Sequence, residues 1–174
     1  TLSILVAALA MLGTMTQSCG VYSFQGVTTA AKTISITEFY NNADLGPANM
    51  GQTFTNDLKN YFIQNSNISV VQEEGELQMD GEIMDFRVTP ISPVSSGNTT
   101  DVDNAASTRL TITVKVTYVS TIPQEEDMGF KDKTFSFYKD FPNDQNLADV
   151  EDQYVKEIFE RLVNDIFNAS VANW

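Results

Sequence analysis

Within the segment Arg109 to Val119, residues 109–118 alternate strictly between polar and apolar side chains, which is the pattern of a half-buried β-strand. The apolar side chains are those of Leu110, Ile112, Val114, Val116 and Tyr118, and the polar ones those of Arg109, Thr111, Thr113, Lys115 and Thr117. Because successive side chains of a strand project to opposite faces, one set enters a core and the other meets solvent or a partner. We therefore predict a sheet with one covered and one open face.

A second alternating segment, residues 131–141, follows after a turn between Pro123 and Gly129. Phe135 and Phe137 fall on one of its faces, and polar side chains fall on the other. Two such segments joined by a turn predict an antiparallel hairpin.

Two other segments repeat apolar residues at spacings of three and four, which is typical of amphipathic helices. The first, Ala48 to Gln64, carries the apolar stripe Met50, Phe54, Leu58 and Tyr61 or Phe62. The second, Leu147 to Ser170, follows N-cap candidates at 143–146 and carries the stripe Val150, Tyr154, Ile158, Leu162 or Phe159, Ile166 and Phe167. Each stripe predicts a helix that packs on the sheet.

Three more strands are predicted, at Lys32 to Phe39, Ile68 to Gln72 and Glu76 to Thr89. In the last of them Ile83 and Met84 are adjacent apolar residues, which predicts a bulge or a change of face. Gly81 lies close enough to help form that bulge.

Pro90 and Pro93 are predicted to end this strand, and Ile91 to Ser107 is a long polar loop that connects a hairpin. The resulting order is β-α-β-β-β-β-α. It predicts an α+β fold in which two amphipathic helices pack on one face of a mostly antiparallel, mixed sheet of four to five strands.

The N-terminal region carries an uncharged apolar block at residues 4–12, ahead of the only cysteine, Cys19. The block suits a signal peptide, because a membrane span needs about 20 apolar residues. Ser18 directly before Cys19 indicates cleavage there, with the cysteine as the lipidated first residue of a bacterial lipoprotein. The alternatives are a secretory signal followed by a buried free thiol, and an uncleaved single-span anchor.

This interpretation divides the chain into a signal peptide at 1–18, a lipidated segment at 19–31 and a single α+β domain at 32–174. Cleavage leaves 174 − 18 = 156 residues, an ordinary size for one domain. Acyl chains on Cys19 are expected to anchor this domain to a membrane surface.

Composition excludes several functions. With 23 acidic and 10 basic residues the net charge is −13, which disfavours nucleic acid as a partner. The chain has no histidine, and residues 101–104 lack the spacing of a calcium loop. We therefore expect no metal, no cofactor and no enzyme. An enzyme that acts on envelope glycans through paired carboxylates is the remaining catalytic alternative, but most acids fall in turns and at helix ends.

Four segments together resemble the LptE family of lipopolysaccharide-assembly lipoproteins in its Bacteroidetes form. They are Cys19 to Phe24 with Gly26, Asp85 to Ile91, Arg109 to Val116, and Ile166 to Trp174. The resemblance implies an outer-membrane lipoprotein that sits as a plug in the large β-barrel LptD. In that place it would assist assembly of the barrel and the passage of lipopolysaccharide to the cell surface, without covalent chemistry.

The alternation of side chains along the strands identifies candidate contacts for lipopolysaccharide or the barrel. Arg109 and Lys115 point away from the apolar face of their strand, and Arg87 joins them once the change of parity at residues 83 and 84 is included. We expect these three cations to form a local basic patch that pairs with lipid phosphates or with acidic groups of the barrel. The alternative is a solvated face with ion pairs.

The aromatic residues Tyr22, Phe24 and Trp174 lie at the two ends of the mature chain and are candidates for docking a partner. The alternative is that they dock the termini onto the core. No acidic run follows Cys19, so we expect the lipid anchor on the periplasmic side of the outer membrane. A generic lipoprotein module that binds another envelope protein or a small ligand remains the alternative function.

Overall fold

The computed structural model describes residues 29–91, 107–123 and 125–172. Cys19, Tyr22, Phe24 and Trp174 lie outside these residues, as do the predicted signal peptide and residues 101–104. In chain order the elements are β1 (Thr33–Ile36), β2 (Tyr40–Asn41), α1 (Met50–Asn65), β3 (Ser69–Val71), β4 (Leu77–Ile91), β5 (Ser107–Ser120), a 3-10 turn (Glu126–Met128), β6 (Phe130–Pro142) and α2 (Leu147–Ser170).

The strands form one mixed sheet in the order β3-β1-β4-β5-β6. The pairs β1–β3 and β1–β4 are parallel, whereas β4–β5 and β5–β6 are antiparallel and much longer. The short strand β2 pairs in parallel with β4 beyond the end of β1. The predicted α+β fold is confirmed, with β2 as an additional short strand.

Both helices cover the same face of the sheet. All five apolar side chains of the alternating segment in β5 are buried, together with the predicted residues Met50, Phe54, Leu58 and Phe62 of α1 and Tyr154, Ile158, Leu162, Ile166 and Phe167 of α2. The two helices run in the same direction, because Phe54 meets Phe159 and Phe62 meets Phe167, each with ring centres 5.0 Å apart. Edge-to-face aromatic pairs of this kind add to the burial of apolar surface.

The bulge predicted in β4 is present. The register of β4 with β5 shifts between Ile83 and Asp85, so Met84 is left out of the pairing. Beyond the shift, Phe86 is buried and Arg87 is exposed. Gly81 keeps regular pairing with Val116, and its missing side chain instead leaves room for the ring of Phe39, whose Cε1 would lie 2.5 Å from an added Cβ.

Two predicted boundaries are wrong. Pro90 does not end β4, which continues to Ile91 with Pro90 opposite Thr108. Among the described residues, no strand pairs with the other side of β4 beyond Ile83, and a proline is tolerated where its missing N–H needs no strand partner.

The first predicted strand also ends early, at Ile36. The backbone N–H of Phe39 donates to the hydroxyl of Thr55 in α1 over 2.9 Å, and the ring of Phe39 is buried. Contact with the helix therefore replaces sheet pairing at this position.

The Asn146 side chain caps α2 by accepting from the backbone N–H of Ala148, as predicted. No helix in the described part of the chain is long and apolar enough for a membrane span.

Candidate functional site

The sheet surface opposite the helices, which we call the open face, is built by the polar positions of β4, β5 and β6. Cross-strand register sets Arg87 opposite Thr111 and Thr111 opposite Tyr138. Thr113 and Ser136 are also opposite each other, and their hydroxyls are 3.1 Å apart. The open face is therefore rich in hydroxyl groups, with cations placed among them.

Arg109 is fixed on the open face by two side chains of β6. Its Nε and Nη2 donate to the two carboxylate oxygens of Asp140 over 2.7 and 2.8 Å. The guanidinium carbon also lies 3.6 Å from the ring centre of Tyr138. A guanidinium carries five N–H groups, so the other three remain for a further acceptor.

The pKa values of this pair follow from the contact. The hydrogen bond from Arg109 lowers the pKa of Asp140, and the same bond raises the pKa of Arg109. Asp140 is therefore a carboxylate, and Arg109 a cation, throughout the physiological range.

Arg87 lies beside Arg109 but is held more loosely. Its Nη2 is 2.8 Å from a carboxylate oxygen of Asp85 on the same strand, and its side chain is 69% exposed. Arg87 is opposite Thr111 and Arg109 is opposite Thr89, so the two arginines are diagonal neighbours, with Cα atoms about 7–8 Å apart. Both line one shallow groove with Thr111, Thr113 and Ser136.

Lys115 lies apart from the two arginines. It is six residues along β5 from Arg109, which corresponds to roughly 20 Å of strand. It forms an ion pair with Glu82 on β4, and the hydrogen bond that Lys115 donates to Glu82 raises the pKa of Lys115. Asp80 and Asp132 line the same small hollow. The structure thus brings two of the three predicted residues together and leaves the third in an acidic setting.

Each of the three cations has a carboxylate partner, namely Asp140, Asp85 or Glu82. Asp85 is visible in the sequence two residues before Arg87, whereas Asp140 and Glu82 become partners only through the register of the strands. Tyr138 beneath Arg109 was also missed as a site residue, although the same parity rule puts it on the polar face of its segment. Within the described residues, no cluster of acidic or cysteine side chains is arranged to hold a metal ion.

The fold and the site define an α+β protein in which two helices cover one face of a mixed sheet and the other face is left open. The chain belongs to the lipopolysaccharide-assembly family LptE, and the family model matches residues 31–170. Membership makes it a lipopolysaccharide-assembly lipoprotein of the cell envelope, in a family that is not enzymatic.

Solved structures are similar to this chain at low sequence identity. The uncharacterized lipoprotein B from Nitrosomonas europaea is 16% identical with a TM-score of 0.50, over 78% of this chain and 79% of that one. A hypothetical protein from Chlamydia trachomatis is 10% identical with a TM-score of 0.53, over 83% and 100%. The rare lipoprotein B from Shewanella oneidensis is 10% identical with a TM-score of 0.48, over 79% and 89%. No curated protein matches the chain.

Proposed function

We propose that this protein is an outer-membrane lipoprotein that plugs and helps to assemble an LptD-like β-barrel, and so supports lipopolysaccharide transport and insertion at the cell surface. In this proposal residues 1–18 are removed and Cys19 carries the acyl chains. Residues 19–31 tether a single body, 32–174, to the periplasmic side of the membrane. Membership of the LptE family over residues 31–170 supports the proposal.

The observation that carries the proposal is the pair of arginines on the open face. Lipopolysaccharide presents phosphate groups, and guanidinium groups bind phosphate through paired N–H donors. Arg109 is oriented by Tyr138 and Asp140 and still has N–H groups to offer, while Arg87 beside it is the more exposed cation. We propose that these two residues, with the hydroxyls around them, contact lipid phosphates.

Lys115 is assigned a lesser part in lipid binding. Its Glu82 partner and the nearby Asp80 and Asp132 surround it with negative charge, which repels a phosphate. We propose that Lys115 contacts the barrel or stays paired within the sheet, and that Arg87 and Arg109 carry the binding of lipopolysaccharide.

Charge reversal tests this division of roles. We expect Arg87→Glu and Arg109→Glu each to weaken binding of purified lipopolysaccharide by roughly tenfold or more, and Lys115→Glu to weaken it much less. Arg161→Glu, an exposed position on α2, introduces the same charge change outside the open face and serves as the matched control. Unchanged binding by the triple variant Arg87→Glu, Arg109→Glu, Lys115→Glu contradicts the assignment.

The barrel partner is tested by co-purification of the full chain from detergent-solubilised membranes. A large β-barrel protein recovered in a fixed ratio supports the plug proposal. Recovery of a different envelope protein, or of the chain alone, contradicts it and favours a generic binding module.

Tyr22, Phe24 and Trp174 stay candidates for the contact with the barrel. Removing residues 171–174 is a poor test, since Val171 and Ala172 are buried and their loss disturbs the core. Trp174→Ala is the sharper variant. If Trp174 docks the barrel, this change reduces co-purification without lowering the thermal stability of the body. A loss of stability with full co-purification instead assigns Trp174 to the core.

A further inference from the structure

A groove opens between the two helices near the N-terminal end of α1, on the side of the molecule away from the open face. Its floor is formed by Met50 of α1 and by Val155 and Phe159 of α2, all three buried in the core. Around this floor stand the polar side chains of Asn49, Thr53, Asp57, Asp152 and Lys156. The groove therefore combines an apolar base with a charged rim.

Asp57 is the unusual member of the rim. It is half-buried, yet its carboxylate has no hydrogen bond or salt bridge within the described part of the chain. Burial raises its pKa, and the negative charge of Glu160 acts in the same direction, whereas Lys156 acts against both from a longer range than a salt bridge. The carboxylate of Asp57 is partly desolvated and has no partner in direct contact among the described residues, so a cation brought to it from outside would offset that desolvation.

The charge of the groove selects its occupant. Asp57 and Asp152 line the groove with one cation, Lys156, and Glu160 adds negative charge near Asp57. The whole chain carries a net charge of −13. A second copy of this chain or an anionic lipid would be repelled. An uncharged apolar group would fill the floor but would remove still more water from Asp57.

We propose that this groove between the helices docks a segment of another protein that places an apolar side chain on the floor and an adjacent Lys or Arg against Asp57 and Asp152. Burial of the apolar side chain supplies non-directional attraction, and the cation supplies the missing partner of Asp57. This surface lies on the helix layer and is separate from the open face, so it is independent of the contacts assigned there.

The probe is the blocked dipeptide acetyl-Phe-Lys-amide, titrated into the full chain at pH 7 and followed by NMR. We expect saturable shifts of the Met50 and Val155 methyl groups. The uncharged peptide acetyl-Phe-norleucine-amide, whose side chain lacks the ammonium group of Lys, should bind at least threefold more weakly. Asp57→Asn should remove most of that difference between the peptides, whereas Asp165→Asn, which removes the same charge from an exposed position of α2 outside the groove, should leave it intact.

Three outcomes overturn the proposal. They are equal affinities of the two peptides for the unaltered chain, shifts spread over the acidic surface without saturation, and an Asp57→Asn variant that still discriminates between the peptides. The Met50 and Val155 methyl signals in the absence of peptide also report whether the variant is folded. A misfolded variant is replaced by Asp152→Asn, for which the same reduction in discrimination is expected.

Discussion

Arg109 illustrates how a single residue gains function from its neighbours. The ring of Tyr138 and the two oxygens of Asp140 fix its guanidinium, so little side-chain entropy remains to be lost when a ligand binds. The same carboxylate, however, competes with any phosphate for that guanidinium. Asp140 is therefore expected to limit the affinity of the site while it sets the geometry.

Replacement of Asp140 tests this balance. We expect Asp140→Asn to strengthen binding of lipopolysaccharide by about threefold to tenfold, because the amide keeps one acceptor but carries no negative charge. Asp132→Asn removes the same charge from the same strand near Lys115 and should change binding little. Surface plasmon resonance at fixed salt measures both. Weaker binding by Asp140→Asn contradicts this expectation. It means that the carboxylate contributes more by orienting the guanidinium of Arg109 than it costs by competing with the phosphate.

Asp57 yields a prediction about pH. Its pKa is raised in the folded state, so the folded chain holds a proton that the unfolded chain releases as the pH rises above the ordinary value of 3.8. Stability contributed by this group is therefore present at low pH and lost as the pH rises.

Asp57→Asn removes that loss. We expect a small gain in the free energy of unfolding at pH 7, within about 0.5 kcal/mol because the carboxylate is partly solvated. The gain should disappear at pH 3, where Asp57 is protonated. Urea titrations at the two pH values measure it, and an equal or larger gain at pH 3 contradicts the assignment.

Among the elements, β4 decides which face Arg87 occupies, whereas Arg109 and Lys115 follow the alternation of β5. The two adjacent apolar residues Ile83 and Met84 interrupt the strict alternation and so predicted a bulge or a change of face, and the register shift at Met84 confirms the bulge. The predicted end of β4 at Pro90 was wrong, because a proline ends a strand only where a neighbouring strand needs a backbone N–H donor at that position. The two-residue strand β2 is too short to carry a periodic signal, and only its pairing with Glu82 and Ile83 of β4 identifies it.

Deletion of Met84 alone removes only the unpaired residue and leaves Phe86 opposite Ile112 and Arg87 opposite Thr111, so the register is tested by deleting Met84 and Asp85 together. Phe86 then follows Ile83 directly, which moves Phe86 to the open face and Arg87 to the covered one. We expect a loss of about 3 kcal/mol or more in the free energy of unfolding, together with loss of lipopolysaccharide binding.

Met84→Ala is the control for that deletion. It keeps the bulge and removes only an exposed side chain, so its stability should stay within about 1 kcal/mol of the unaltered chain. Chemical denaturation measures both variants. A variant that lacks both Met84 and Asp85 but is stable and still binds lipopolysaccharide rules out the register of β4 as the feature that orients Arg87.

Across the whole molecule, the start of the described body and the two arginines lie at opposite ends of the sheet. The backbone N–H of Ala30 donates to Glu125 over 2.6 Å, and that of Lys32 donates to Glu76 over 2.5 Å. From Glu76 to Arg87, β4 extends for roughly 35 Å. If Cys19 is the lipidated residue, the tether joins the body at the end away from the proposed lipid contact.

The site was less predictable than the fold. Periodicity within each segment identifies the face of the sheet to which a side chain belongs. It correctly placed Arg87, Arg109 and Lys115 on the face opposite the core. It contains no information on register between strands, which decides that Arg109 meets Asp140 and that Lys115 lies some distance from both arginines. Ion pairing across strands is therefore a property of the assembled sheet.

We propose that the open face, rather than the helix layer, contacts lipopolysaccharide in the envelope. The most direct measurement is photo-crosslinking in living cells with benzoylphenylalanine in place of Thr111 on the open face or of Asn60, an exposed position of α1. We expect lipopolysaccharide adducts from position 111 and none above background from position 60. Adducts from position 60 alone, or equally from both positions, contradict the assignment of the lipopolysaccharide contact to the open face.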